Sequence, residues 1–148
     1  MSKVNIINDY AENIIYNETN ICKIIDKIFL DQNSSFDQIS IILSDKKLLN
    51  KLKEKYFKLN QYTDVIAFNL EDLNCLIDGE IYISIDDVKE NSKKYSQTFN
   101  NEFKRVIIHG ILHLLGFEDD SVKKKNIMSK LENKYIEENK DKIIREEE

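Results

Sequence analysis

Proline is absent from the 148 residues, glycine occurs three times, and cysteine and histidine twice each. With Gly79, Gly110 and Gly116 as the only glycines, the chain offers few breakpoints, and neither an internal repeat nor a Gly/Ser linker is visible. One domain over residues 1–148 is therefore expected. Cys22 and Cys75 stand far apart and match no CxxC spacing, which suggests neither a disulfide framework nor a zinc ribbon. Both are expected to be reduced and buried, as free cysteines commonly are. No apolar run approaches the roughly 18 residues that cross a bilayer. The opening MSKVNIINDYAEN turns polar and acidic after one lysine, unlike a signal peptide. A cytoplasmic protein with no membrane partner is expected. The net charge of -5 argues against a protein that coats nucleic acid with its whole surface, and leaves room for a local basic face. With 41% hydrophobic and 33% charged residues, the chain is too apolar to be disordered.

The apolar periodicities predict mixed α and β structure. VNII near the start reads as a short edge strand. Thr19 or Asn20 can cap a helix whose inner face is Ile21, Ile24, Ile25, Ile28 and Phe29. ISIIL (39–43) suits a strand covered on both faces, and Ser44 or Asp45 starts a helix carrying Leu48, Leu49, Leu52 and Tyr56. TDVIAF (63–68) and EIYISI (80–85) read as two more strands, and Ser84 with Asp87 has the spacing of a capping box. A helix follows through Val88 to about Tyr95. A strong helix from about Asn100 to Leu115 turns Phe103, Val106, Ile107, Ile111 and Leu114 inward, and a final one holds Ile127, Met128, Leu131, Tyr135 and Ile136. The end, IEENKDKIIREEE, reads as an exposed, frayed helix terminus. Roughly four strands and five helices make a single α/β domain, an αβα sandwich around one small mixed sheet.

Both histidines fall in one stretch, HGILHLLGFEDD (109–120). His109 and His113, four apart, share a helix face with Cβ atoms about 5–6 Å apart, so both imidazoles can aim at one point. Gly116 can adopt the left-handed conformation that ends a helix and reverses the chain, returning Asp119 toward the imidazoles. Two nitrogens and a carboxylate suit one zinc ion or a similar divalent cation, with a fourth position open to water. The spacing also occurs in HExxHxxGxxH zinc proteases, whose glutamate beside the first histidine is the general base. Here that position is Gly110, which cannot move a proton.

The run His109-Gly110-Ile111-Leu112-His113-Leu114-Leu115-Gly116-Phe117, followed by Asp119, resembles the HGxLHLxGYDH signature of YbeY-type endoribonucleases. TDVIAF resembles that family's TDVLSFP, and GEIYIS (79–84) its GDIxIS segment, in the same order and at similar spacing. The resemblance covers nearly the whole chain. It implies a single αβα domain that binds zinc through two histidines and a third ligand. It implies action on single-stranded RNA in 16S rRNA 3'-end maturation and ribosome quality control, with the ribosome or ribosomal proteins as partners and no DNA. Two positions depart from the family pattern. The third ligand, most often histidine, is Asp119 here, with Asp120 as the alternative. The segment resembling YRxxDxxTD reads Tyr56-Phe57-Lys58-Leu59-Asn60-Gln61-Tyr62-Thr63-Asp64, which puts Phe57 where an arginine implicated in cleavage is expected. Phenylalanine cannot stabilise a phosphorane, so Lys58 or Lys55 must supply the charge if cleavage is retained.

Lys47, Lys51, Lys55 and Lys58 recur at helical spacing and could track phosphates, or could simply form a solvated face. Lys123 to Lys125 are a second basic group. Asp64 either supports the metal site from behind or caps a turn, and Tyr62, Tyr82 and Phe117 either stack on bases or pack in the core. Two other functions compete with the nuclease: a non-catalytic ribosome assembly factor with a structural metal, and a metal-dependent hydrolase of another class.

Overall fold

β-Branched residues gather in short runs between amphipathic stretches, and the chain alternates accordingly. The computed structural model describes residues 2–57, 64–71 and 76–146. In order run β1 (Lys3–Asn8), β2 (Ile14–Tyr16), α1 (Glu18–Asp31), β3 (Phe36–Ser44), α2 (Lys46–Phe57), β4 (Val65–Asn69), β5 (Ile77–Ser84), α3 (Ile85–Lys94), α4 (Phe99–Leu114), α5 (Val122–Glu138) and β6 (Ile144–Glu146). The main sheet has four strands in the order β1-β3-β5-β4. β1, β3 and β5 are parallel, whereas β4 runs antiparallel to β5 and forms an edge.

Register decides which residues share a face. Ile41 lies between Ile6 and Ile81, and Ile81 is opposite Ala67. Ile39, Ile41, Leu43, Ile81 and Ile83 on that face are completely buried. They meet the five apolar residues expected to point inward from α4 and the five expected from α1, all ten of them buried. Each such side chain contributes about 1.5–3 kcal/mol when fully removed from water. The opposite face carries Ile42 and Ile66, which with Leu49 of α2 are buried apart from the main cluster. There the rings of Tyr56, Phe68 and Tyr82 form a tilted row with centroids 5.3 and 6.0 Å apart. The layers are therefore α/β/α, and α5 packs on the outside of α4.

Caps fall close to the expected places, with one shift. Asn17 caps α1, its side-chain oxygen accepting from the Asn20 amide at 3.0 Å; neither Thr19 nor Asn20 does so. Asp45 accepts from the Leu48 amide at the start of α2, and the Ser84 hydroxyl from the Asp87 amide at the start of α3. Tyr56, expected on an inner face, is 56% exposed.

The C-terminal expectation is overturned. α5 stops at Glu138, and the following chain returns to the core, where Ile143 and Ile144 are buried. β6 pairs antiparallel with β2 in a second, two-stranded sheet. Its entry is fixed by the Asn100 side-chain oxygen, which accepts from both the Ile143 and Ile144 amides, and by the Asn20 amide group, which donates to the Lys142 carbonyl. Burying two isoleucines outweighs the charge around them. Cys22 is a free thiol and only half-buried, and Cys75 lies outside the described residues.

Candidate metal centre

Helix α4 sets the site. The capped first turn, with the Thr98 hydroxyl accepting from the Asn101 amide, and the apolar stripe against the sheet fix the rotation of the helix, so His109 and His113 look into a cleft beside edge strand β4. Gly110, on the next face round, lies against the sheet: a Cβ there would stand 3.0 Å from Ile81 Cγ2. The missing side chain thus lets helix and sheet approach closely, and it does not serve the cleft.

The helix ends as the glycine predicts. Gly116 has φ of 99°, its amide donates to the His113 carbonyl, and the Phe117 amide donates to the Leu112 carbonyl. These two bonds are the Schellman arrangement that reverses a chain after a helix. The reversal returns Asp119 to the histidines: its Oδ2 is 3.5 Å from His109 Nε2 and 3.7 Å from His113 Nε2. Asp120, the alternative, points elsewhere and pairs with Lys124, which also pairs with Glu118, both at 3.1 Å. Lys124, of the second basic group, is therefore part of the loop's own charge balance.

The outer ring nitrogens decide the chemistry of the inner ones. His109 Nδ1 is 2.7 Å from the Glu132 carboxylate and His113 Nδ1 is 3.0 Å from the Phe117 carbonyl. Both partners only accept, so both Nδ1 atoms carry hydrogen and both Nε2 atoms of the neutral rings present lone pairs. Those lone pairs face each other at 2.9 Å with a carboxylate beside them. A proton shared between the two rings relieves that opposition, and so does a metal ion held by all three groups. Tetrahedral zinc with bonds of about 2.0–2.1 Å sets its nitrogen ligands roughly 3.3 Å apart, a small outward adjustment. The three ligand atoms lie within 4.8 Å of one another, so the donor set fits such an ion.

The surroundings draw positive charge to the same point. Burial lowers the His109 pKa, but the bond and charge of Glu132, with Asp119 and Asp64, more than reverse it, and the net shift is upward. For His113 burial dominates, the neighbouring His109 adds to it, and the net shift is downward. Asp64 is held above the usual carboxylate range by burial, opposed by His109 and by the bond its carboxylate accepts from Asn91. Its backbone carbonyl also accepts from the Ser84 amide. Of the two expected roles of Asp64, electrostatic support of the histidines is present, and its carboxylate bonds to the Asn91 side chain of α3. Glu102, buried in α4, is likewise raised, chiefly by desolvation and then by Asp64.

Glu132 is the residue that sequence reasoning missed. Its carboxylate joins His109 to Arg105, whose guanidinium donates to it at 3.2 Å and to Asn133 at 3.0 Å. A signal was present: Met128, Glu132 and Tyr135 form the buried stripe of α5, an acid at a position where a hydrophobe belongs. Carboxylates behind ligating histidines typically account for 10–100-fold in metal affinity. Glu132→Ala is accordingly expected to weaken zinc binding about 10–100-fold in a chelator competition, with Glu132→Gln closer to wild type because its amide oxygen still accepts from Nδ1.

The cleft has a volume of about 380 Å³ and is lined by both histidines, by Val65, Ile66 and Ala67 of β4, and by Lys53 of α2. Lys55 is not on its wall; it is exposed, with its ammonium 5.1 Å from the centroid of Tyr56. Lys58 and Tyr62 lie outside the described residues, as does the side chain of Phe57. Phe117 lines the cleft while packing partly on the core. Tyr82 donates to Glu80 at 3.2 Å and packs on Phe68.

An αβα domain with two histidines and a returning acid at an edge-strand cleft presents a group able to hold a metal ion, the donor set of a metal-dependent hydrolase. Comparison with known proteins places it further: residues 5–140 match the family model of endoribonuclease YbeY, and the chain belongs to that family. It is 42% identical to the endoribonuclease YbeY of Karelsulcia muelleri over 82% of this chain and 86% of that one. It is 37% identical to the endoribonuclease YbeY of Chloroherpeton thalassium over 80% and 84% of the two chains. Among solved structures it is similar to TM1509 from Thermotoga maritima, with a TM-score of 0.61 and 26% identity, covering 91% of this chain and 87% of that one.

Proposed function

We propose that this protein is a zinc-dependent, single-strand-specific endoribonuclease that matures the 3' end of 16S rRNA and takes part in ribosome quality control in the cytoplasm. The observation that carries the reading is the convergence of His109 Nε2, His113 Nε2 and Asp119 Oδ2 at the head of a cleft, joined to membership of the endoribonuclease family. His109, His113 and Asp119 would hold one zinc ion. Bound there, zinc supplies Lewis acidity toward a phosphodiester and makes water nucleophilic near neutral pH.

The chain's own groups do the remaining work. Glu132 and the Phe117 carbonyl fix the two imidazoles with Nε2 toward the cleft, and Arg105 holds Glu132 in turn. Edge strand β4 walls the substrate side and keeps the scissile bond beside the ligands. The exposed lysines of α2, Lys47, Lys51 and Lys55, with Lys58 beyond its end, attract RNA from solution through their charge. The proposed partners are single-stranded rRNA and the ribosome. Among the described residues no helix is long and apolar enough to cross a membrane.

Metal removal tests this. An unstructured oligoribonucleotide is expected to be cut by the zinc-loaded protein, spared after dialysis against a chelator, and cut again when zinc is restored. Zinc-loaded protein that leaves the RNA whole while still binding ribosomal subunits would support the assembly-factor alternative, which Phe57 at the arginine position favours.

A further inference from the structure

Resting on the nuclease reading, we propose that Lys53 of α2 meets the scissile phosphate and balances the charge that develops on it. Position is the first ground. Lys53 follows the fully packed Leu49 by four residues, so it lies on the face of α2 turned toward the sheet, and it is half-buried there in the wall of the cleft. The other lysines of the helix that were candidates from the sequence, Lys47, Lys51 and Lys55, are on the exposed side.

Charge is the second ground. Among the described residues lining the cleft, Glu118 and Asp119 are acids and Lys53 is the one cation. Lys124 and Arg105 do not line the cleft; Lys124 pairs with Glu118 and Asp120, and Arg105 with Glu132 and Asn133. Behind the histidines stand the acidic groups of Asp64, Glu102 and Glu132, so in the field of the protein's own groups at this point acids outnumber cations. A phosphodiester brings one negative charge into that field, and charge builds on its oxygens in the transition state. A cation fixed on the α2 wall contributes where that charge grows.

The test uses the full chain loaded with zinc and an unstructured oligoribonucleotide. Lys53→Met is expected to lower kcat about 10²–10³-fold, the usual loss for one preorganised electrostatic contact, with KM changed much less. Lys53→Arg should restore most of the rate, and Lys23→Ala, at an exposed lysine of α1 away from the cleft, should stay within about twofold of wild type, as expected for a screened surface charge. Thermal melting checks folding, and Lys53→Gln is read in the same way should the methionine variant fail to fold.

Binding is measured separately in the His113→Ala background, which leaves RNA intact. There the loss of Lys53 should reduce the slope of log affinity against log salt by about 0.7, the share of one phosphate contact on a single strand. Wild-type cleavage matched by Lys53→Met, or an unchanged salt slope, overturns the assignment and leaves the nuclease standing. Zinc-loaded wild type that cuts no RNA overturns both.

Discussion

His113→Ala is expected to abolish RNA cleavage and to reduce zinc in the purified protein to a small fraction of one ion per chain. Two ligand atoms remain after the substitution, and they cannot define a tetrahedral site with a single open position. The loss in rate should be at least the 10²–10³-fold that follows removal of one preorganised contact, because the entire Lewis acid goes with the ligand. Folding should survive. His113 is only half-buried, and its bond to the Phe117 carbonyl contributes about 0.5–1.5 kcal/mol. The metal-free variant should therefore melt close to metal-free wild type. Zinc should separate them: at a hundredfold excess over its dissociation constant, binding to the native state adds about 2.7 kcal/mol. A zinc-dependent rise in melting temperature should appear in wild type and vanish in the variant. Full zinc content and full cleavage in His113→Ala would place the active metal elsewhere.

The features legible in the sequence were those set by short-range pattern. The i, i+4 spacing of the histidines and the single glycine able to reverse the chain after them located the centre, because α-helix geometry and the left-handed preference of glycine act over a few residues. The same holds for the stripes of α1 and α4, whose expected inward residues are all buried. What escaped depends on contacts between distant segments. Glu132 reaches His109 across 23 residues of sequence, and no local rule says which helix will lie behind an imidazole. β6 forms because β2 and Asn100, both far upstream, satisfy its backbone; seen locally, KIIREEE is two isoleucines among charges. Lys53 was hidden among better-spaced lysines. Counting cations every three or four residues selected the solvent stripe, whereas the cleft is lined by the lysine that breaks that stripe and follows Leu49.

Gly110→Glu would turn the helix motif into the HExxH of zinc proteases, and it is expected to produce an unstable protein without peptidase activity. In such enzymes the glutamate reaches the open side of the metal and moves the proton. Here residue 110 faces the sheet: it is buried, and even a methyl group in its place would press within 3.0 Å of Ile81, which is itself completely buried. A glutamate side chain must either displace the β5 layer or bring a carboxylate into an apolar interior. Overpacking typically costs 1–3 kcal/mol and an unpaired buried polar group a further 1–3, so a loss of about 3 kcal/mol or more is expected. Better helix propensity returns at most about 1 kcal/mol of it. Thermal or urea denaturation should show the loss directly, and zinc should recover only part of it, since the ligands themselves are untouched. A Gly110→Glu variant that melts with wild type and hydrolyses peptides would mean that this face of α4 opens to the cleft, and the α4–sheet packing described above would then be wrong at its centre.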